Sequence, residues 1–397
     1  MAIGACFAAH SLYFLTLAKL EYSFCGTLLS VAVLHLRIRH SPTDWGILAA
    51  ATLILMAIAV RVEHFPLPVR ICCALVGLAS LVILATRTLW CKPSEITVPL
   101  WALAAAVVLV GSGWILPPFL TWAGQGTPKV LDLYLCSFDA SLGFQPSFAM
   151  GTLLFKWPIL GQISGTFYMG VPIIVTLVYG DRLLQGVRKA LPAFLAFFLV
   201  APIGSLFYDL FPALGPVYVF AGSFPVRPLP ASLIQHMRLE PLALGGFRNA
   251  MPSLHMAWAI LGLWYSRGTA WWIRVFAWVF FVFTVISTLG MGEHYLIDLI
   301  VAFPFALMIY GVFCSLSGWK DAWRIRAIAF GFAATILWMV LLRFQPSLFW
   351  VSPVIPWSLM ILTLAATLAL KWRVQVASEP AAIPVTPGSV AHLSPEL

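Results

Sequence analysis

Apolar residues occur along this chain in runs about as long as a bilayer crossing, separated by short polar or basic turns. One helical span needs roughly 17–25 apolar residues. Applied here, that rule predicts helices near 43–60, 68–86, 97–117, 158–179, 190–208, 252–266, 272–290, 294–314, 325–343 and 353–371. The stretch 3–36 reads as one long helix or as two short ones broken at Lys19-Leu20-Glu21. The pattern therefore predicts an all-α, polytopic transmembrane helical bundle of about 11 spans.

Two segments between the runs carry patterns of their own. In 129–142, Leu131, Tyr134, Leu135, Phe138 and Leu142 recur at helical spacing, with Asp132 and Asp139 elsewhere around the wheel. This predicts an amphipathic helix lying in the membrane interface, with the two aspartates on its solvated face and Cys136 in an exposed segment. The segment 209–251 is rich in proline (Pro212, Pro216, Pro225, Pro228, Pro230) and is expected to form a structured cap. The tail from Ser378 to Leu397 lacks helical patterning and is expected to be disordered. The division that follows is 1–127 for N-terminal spans, 128–315 for a core, 316–376 for C-terminal spans and 377–397 for the tail.

Composition narrows the class. The chain is 61% hydrophobic and 9% charged, with a mean hydropathy of +0.96, which excludes a soluble domain, a disordered chain and a small disulfide scaffold. A net charge of +9 would suggest nucleic acid in a soluble protein. Here the basic residues crowd short loops, so they orient the chain in the membrane and no nucleic-acid partner is expected. Arg182, Arg188, Lys189, Arg267, Arg274, Lys320, Arg324, Arg326, Lys371 and Arg373 mark the expected cytoplasmic side. Segments 118–157, 209–251 and 290–294 then fall on the outer face. Seven cysteines without a C-x-x-C spacing give neither a metal cluster nor a disulfide framework.

The chemistry-bearing stretch is Gly-Phe-Arg-Asn-Ala-Met-Pro-Ser-Leu-His at 246–255, at the outer mouth of an apolar run. Pro252 suits a first helical turn, whose free N–H groups bind phosphate with help from the Ser253 hydroxyl. Arg248 just outside offers a forked, charge-assisted contact. Gly-Glu-His-Tyr-Leu-Ile-Asp follows at 292–298. One helix inward and one helix back lie between, so His255 and His294 return to the same face. His294 and Asp298 are four apart and share a helix face. An acid in an apolar helix costs about 2.5–3.5 kcal/mol on insertion scales, so Asp298 needs a partner. The natural one is the His294 N–H, which would leave the other ring nitrogen as a nucleophile. With His255 to protonate the leaving oxygen, the set suffices for phosphoryl transfer.

Pro-Ser-x-His followed by His-x-x-x-Asp resembles the signature of the type 2 phosphatidic acid phosphatase superfamily. Met-Pro-Ser-Leu-His and Glu-His-Tyr-Leu-Ile-Asp are similar to its inositol phosphorylceramide synthase branch, as is Phe-Pro-Ala-Leu-Gly-Pro-Val-Tyr at 211–218. Asp132 and Asp139 with Gly143 resemble that branch's upstream segment. The match covers about residues 128–315. It implies a six-helix lipid-phosphatase-type core, with His294 as nucleophile, Asp298 as its orienting partner and His255 as general acid. Ser253 and Tyr218 would line the phosphate site. The superfamily's Lys-x6-Arg-Pro is absent, and Ser287-Thr288 stands where it has Ser-Arg. Arg248 and Arg227 are the substitutes for that charge, although each also reads as a simple interfacial residue. Tyr218 also reads as an interfacial anchor, and Asp209 as a structural residue at a helix end.

The implied activity is transfer of a phosphoryl-linked head group, inositol phosphate in that branch, from a phospholipid donor to a lipid hydroxyl such as ceramide or diacylglycerol. Neither metal nor cofactor is expected. A lipid phosphatase using water needs the same residues. A transporter or scramblase is the alternative from another class, disfavoured by the absence of a sequence repeat and by polar residues clustered at one interface. No G-x-S-x-G, Walker A, D-x-D or H-E-x-x-H motif is present. The resemblance to bacterial relatives suggests an inner or plasma membrane, with the site on the non-cytoplasmic face.

Overall fold

The computed structural model describes residues 22–38, 42–63, 69–125, 128–314 and 320–378. It is an all-α bundle, with one two-residue strand pair among the described residues. Among the described residues four helices precede the core: α1 (Tyr22–Ile38), α2 (Pro42–Glu63), α3 (Val69–Trp90) and α4 (Thr97–Gln125). The predicted break at Lys19-Leu20-Glu21 and the tail from 379 onward lie outside the described residues.

Strand β1 (Lys129–Val130) opens the core and leads into α5 (Asp132–Ser141), α6 (Pro146–Lys156), α7 (Pro158–Met169), α8 (Val171–Leu184) and α9 (Val187–Leu210). The cap contains the single turn α10 (Pro216–Val219), α11 (Ala231–His236) and strand β2 (Leu242–Ala243), which pairs antiparallel with β1. Then come α12 (Leu254–Tyr265), α13 (Trp271–Gly290) and α14 (Leu296–Phe313). The chain closes with α15 (Ala322–Phe344), a 3-10 turn at Pro346–Trp350 and α16 (Val354–Ser378).

Seven of these helices are long and apolar enough to cross a membrane. A bent pair adds an eighth, and three shorter apolar helices (Cys25–Ile38, Thr97–Gly113, Leu254–Tyr265) complete the set among the described residues. The bent pair is the single helix expected at 158–179. It breaks by 52° between α7 and α8, where Gly170 separates the two and Pro172 opens the second helix. Proline has no N–H to continue the hydrogen-bond ladder, so the break falls where the sequence has one.

The helix at 129–142 departs most from expectation. α5 forms, but nine of its ten residues are buried, Cys136 included. It does not present a solvated face, because the C-terminal segments cover it. Phe138 packs edge-on against Trp338 at 5.5 Å and Phe349 at 4.8 Å. Trp350 Nε1 donates to Ser137 Oγ at 2.9 Å. A helix wheel cannot register partners that lie 200 residues away in the chain.

The cap is pinned to the core at several points. Gln145 Nε2 donates to the Leu229 carbonyl at 2.6 Å, and Thr152 Oγ1 to that of Pro225 at 2.9 Å. Phe148 packs on Phe220 and Phe224. Gly215 is required where the cap begins. Its φ is +117° and a Cβ there would lie 2.4 Å from the Glu293 carbonyl oxygen, so only glycine fits without strain.

Candidate active site at three converging segments

Three backbone segments meet above the apolar core: 213–218, 250–256 and 288–298. Their hydrogen bonds tie each to the next. Ala250 N–H donates to the Ala213 carbonyl at 3.1 Å, Val217 N–H to that of Gly292 at 3.0 Å, and Ser253 N–H to that of Asp298 at 3.2 Å. The two motifs expected to share a face are therefore joined directly.

His294 sits at the centre and is 2% exposed. Its Nδ1 lies 2.9 Å from the Ala250 carbonyl oxygen. An unprotonated nitrogen cannot face a carbonyl at that distance, so Nδ1 carries the proton and Nε2 has the free lone pair. This revises the expected role of Asp298. Its Oδ2 is 3.6 Å from Nδ1, beyond hydrogen-bond reach. That oxygen instead accepts the Tyr295 N–H at 2.8 Å. Asp298 is the third residue of α14, from which a carboxylate naturally folds back onto the residue capping the helix. It lies beside His294, while Ala250 sets the tautomer.

His255 lies on α12, its ring stacked on Tyr168 with centroids 3.8 Å apart and edge-on to Trp258 at 5.9 Å. Ser253 caps α12, its Oγ accepting from Met256 N–H at 3.4 Å. Pro252 stands just before that cap rather than in the first turn, so Leu254 and His255 supply the first free N–H groups.

The Arg248 guanidinium donates to the carbonyls of Gly246, Leu244 and Pro128, where it ties the cap to the start of β1. Arg227 is exposed on the cap. Tyr218 is 45% exposed, and its hydroxyl donates to Glu293, 3.0 Å from Oε1 and 3.1 Å from Oε2. Glu293 was not singled out by sequence reasoning, although its place beside His294 was the available signal.

Asp132 and Asp139 are 0% and 2% exposed, so the solvated-face expectation fails for both. The Asp132 carboxylate accepts the N–H groups of Leu214 (3.1 and 3.2 Å) and Gly215 (2.8 Å). That of Asp139 accepts those of Leu296 (2.8 Å) and Ile297 (3.3 Å), the first two residues of α14. One helix thus holds two of the three segments by their backbones. Ser147 Oγ adds a bond to the His294 carbonyl at 2.8 Å.

Burial pushes the His294 imidazole down to about 4, against the opposing pull of Glu293 and of the bond to Ala250. The ring is therefore neutral across physiological pH. For a phosphate diester with an acidic leaving group, labelling of His294 should stay level from pH 8 to pH 5 and fall towards pH 4. A fall centred near 6.5 would contradict a buried neutral ring. The sign for stability follows: the unfolded chain binds this proton first, so the contribution falls as pH drops from about 6.5 to about 4.

Residues 133–312 match a family model described as the PAP2 superfamily. No curated protein and no solved structure matches the chain significantly. The matched segment contains the histidines, Asp298, Ser253, Glu293 and Tyr218, and it supports a type 2 phosphatidic acid phosphatase-type core of the lipid phosphatase or phosphotransferase kind.

Proposed function

We propose that this protein is a membrane lipid phosphotransferase, which moves a phosphoryl-linked head group from a phospholipid to a lipid hydroxyl through a phosphohistidine at His294. The observation that carries this reading is the Nδ1–H bond from His294 to Ala250, which leaves Nε2 unprotonated. In the first step Nε2 attacks phosphorus, the bond to the diacylglycerol oxygen breaks, and His255 gives that oxygen its proton. In the second, the acceptor hydroxyl attacks phosphorus, the P–N bond breaks, and His255 takes the hydroxyl proton back. The Leu254 and His255 N–H groups and the Ser253 O–H receive the phosphate oxygens. Asp298, 3.6 Å from Nδ1, offsets the positive charge that the ring acquires.

Transfer to a lipid, rather than to water, is supported by the pinned cap and by the burial of His294. A site on the non-cytoplasmic face is supported by the basic loops at the opposite ends of the helices. Arg182 there donates to the carbonyls of Tyr265 and Arg267, at the far end of α12 from His255. Inositol phosphate is the head group that the sequence resemblance suggests.

The test is a mass-spectrometric product assay in liposomes. It offers phosphatidylinositol and other phospholipids with ceramide or diacylglycerol, against His294→Ala as blank. A new phospholipid bearing the donor's head group supports the transferase. Free phosphate from phosphatidate without an exchange product makes the protein a phosphatase. No difference from the blank overturns the site. His255→Ala should slow transfer by about 10²–10⁴-fold when the leaving group is an ordinary alcohol, and by much less when it is a nitrophenol. Equal losses for both substrates would remove His255 from the acid role.

A further inference from the structure

We propose that Tyr168 is a positioning residue for the general acid: its ring face holds the His255 imidazole in one plane and stabilises the positive charge that imidazole carries while its proton is in transit. The inference rests on the phosphohistidine reading above and adds to it the group that holds His255. The two rings stack with centroids 3.8 Å apart and planes 16° from parallel. Trp258, on the same helix as His255, meets the imidazole edge-on at 5.9 Å and 86°. The outer torsion of a histidine side chain is intrinsically broad, so packing of this kind decides where its nitrogens point.

Tyr168 reaches this place because of how α7 ends. It is the next-to-last residue of α7, just ahead of Gly170, where the chain turns 52° into α8. Its neighbour Phe167 packs on α13, stacked on Phe283 with centroids 4.5 Å apart. α7 thus docks on α13 by one aromatic ring and presents the next to α12. Tyr168 is 8% exposed, so water has little access to the stack. An aromatic face carries partial negative charge and attracts a cation placed over it, more strongly where water is excluded. During proton transfer to or from His255 the imidazole bears part of a positive charge. A ring stacked on it therefore lowers the barrier of the steps in which His255 moves a proton. A leaving group acidic enough to depart unprotonated gains nothing from it.

The experiment follows release of the leaving group in the first turnover, from phosphatidylinositol and from an alkyl nitrophenyl phosphate diester, with His294→Ala as blank. Tyr168→Phe keeps the ring and should stay within about twofold of the wild type on both substrates. Tyr168→Leu should lose about 10–10²-fold on phosphatidylinositol and about twofold or less on the nitrophenyl diester.

A second series leaves the packing intact. It places phenylalanine and its mono-, di- and trifluorinated forms at position 168, which keep the shape of the ring while draining charge from its face. Release from phosphatidylinositol should fall stepwise, by about threefold or more across the series, with no trend for the nitrophenyl diester. A ring that merely fills space would give no trend on either substrate. A flat fluorination series, equal losses on the two substrates in Tyr168→Leu, or a loss in Tyr168→Phe as large as in Tyr168→Leu would each overturn the proposal. Equal losses on both substrates in His255→Ala would instead overturn the acid role, and release by His294→Ala at the wild-type rate the phosphohistidine reading beneath it.

Discussion

Replacing His294 by alanine is expected to abolish phosphoenzyme formation and to reduce turnover by about 10⁴-fold or more, the scale seen when a covalent nucleophile is removed. The size follows from the absence of a substitute. His255 is held by its stack on Tyr168 and its edge-on contact with Trp258 and cannot take the same position. The ring is held by a bond from Nδ1 to a backbone carbonyl, and the backbone N–H of His294 donates to the Thr288 carbonyl at 3.2 Å. The variant removes the ring and leaves those segments tied through Val217, Ala250 and Ser253, so thermal unfolding should change little. Acid-labile, alkali-stable label on the wild-type protein and none on the variant would establish the intermediate. Retention of more than a few per cent of activity in His294→Ala would exclude it.

The second large effect is expected at Asp139, which touches no reacting atom and acts as a positioning residue. Its carboxylate holds the N–H groups of Leu296 and Ile297, immediately ahead of Asp298 and behind His294. Alanine would strand two N–H groups at about 1–3 kcal/mol each, so a loss of roughly 2–6 kcal/mol in stability is expected. The kinetic effect should appear in kcat more than in KM, because the start of α14 would fray and move His294 against phosphorus. Asparagine retains one acceptor oxygen and should recover part of both losses. Burial pushes the Asp139 carboxyl up to about 8, against the pull of the two N–H bonds, so its charge is sensitive to alkaline as well as neutral pH. Wild-type melting and wild-type kcat in Asp139→Ala would show that the cap on α14 is dispensable.

How much of the site was legible depended on the kind of contact involved. His255, His294 and Asp298 could be brought together from the chain alone, because one apolar run inward and one back return two motifs to the same face. The tautomer could not. It is set by the Ala250 carbonyl, 44 residues from His294 in sequence, and every residue has a carbonyl. Arg248 and Tyr218 were legible as polar groups near the mouth, but their partners were not. Arg248 turned out to clamp the cap, and Tyr218 to hold Glu293. The two aspartates of α5 were misread for a related reason. A wheel drawn from one helix leaves them opposite its apolar stripe, yet backbone N–H groups from 214–215 and 296–297 meet them there.

By itself the sequence determined the all-α membrane bundle, most helix positions and the motifs within the segment that matches the PAP2 superfamily model, because bilayer length and helical periodicity act locally along the chain. Tertiary structure alone decided the bend at Gly170, the burial of α5, the neutral tautomer of His294 and the carboxylate beside it. Those outcomes depend on which backbone N–H and carbonyl groups distant segments bring together, and backbone groups are the same at almost every residue.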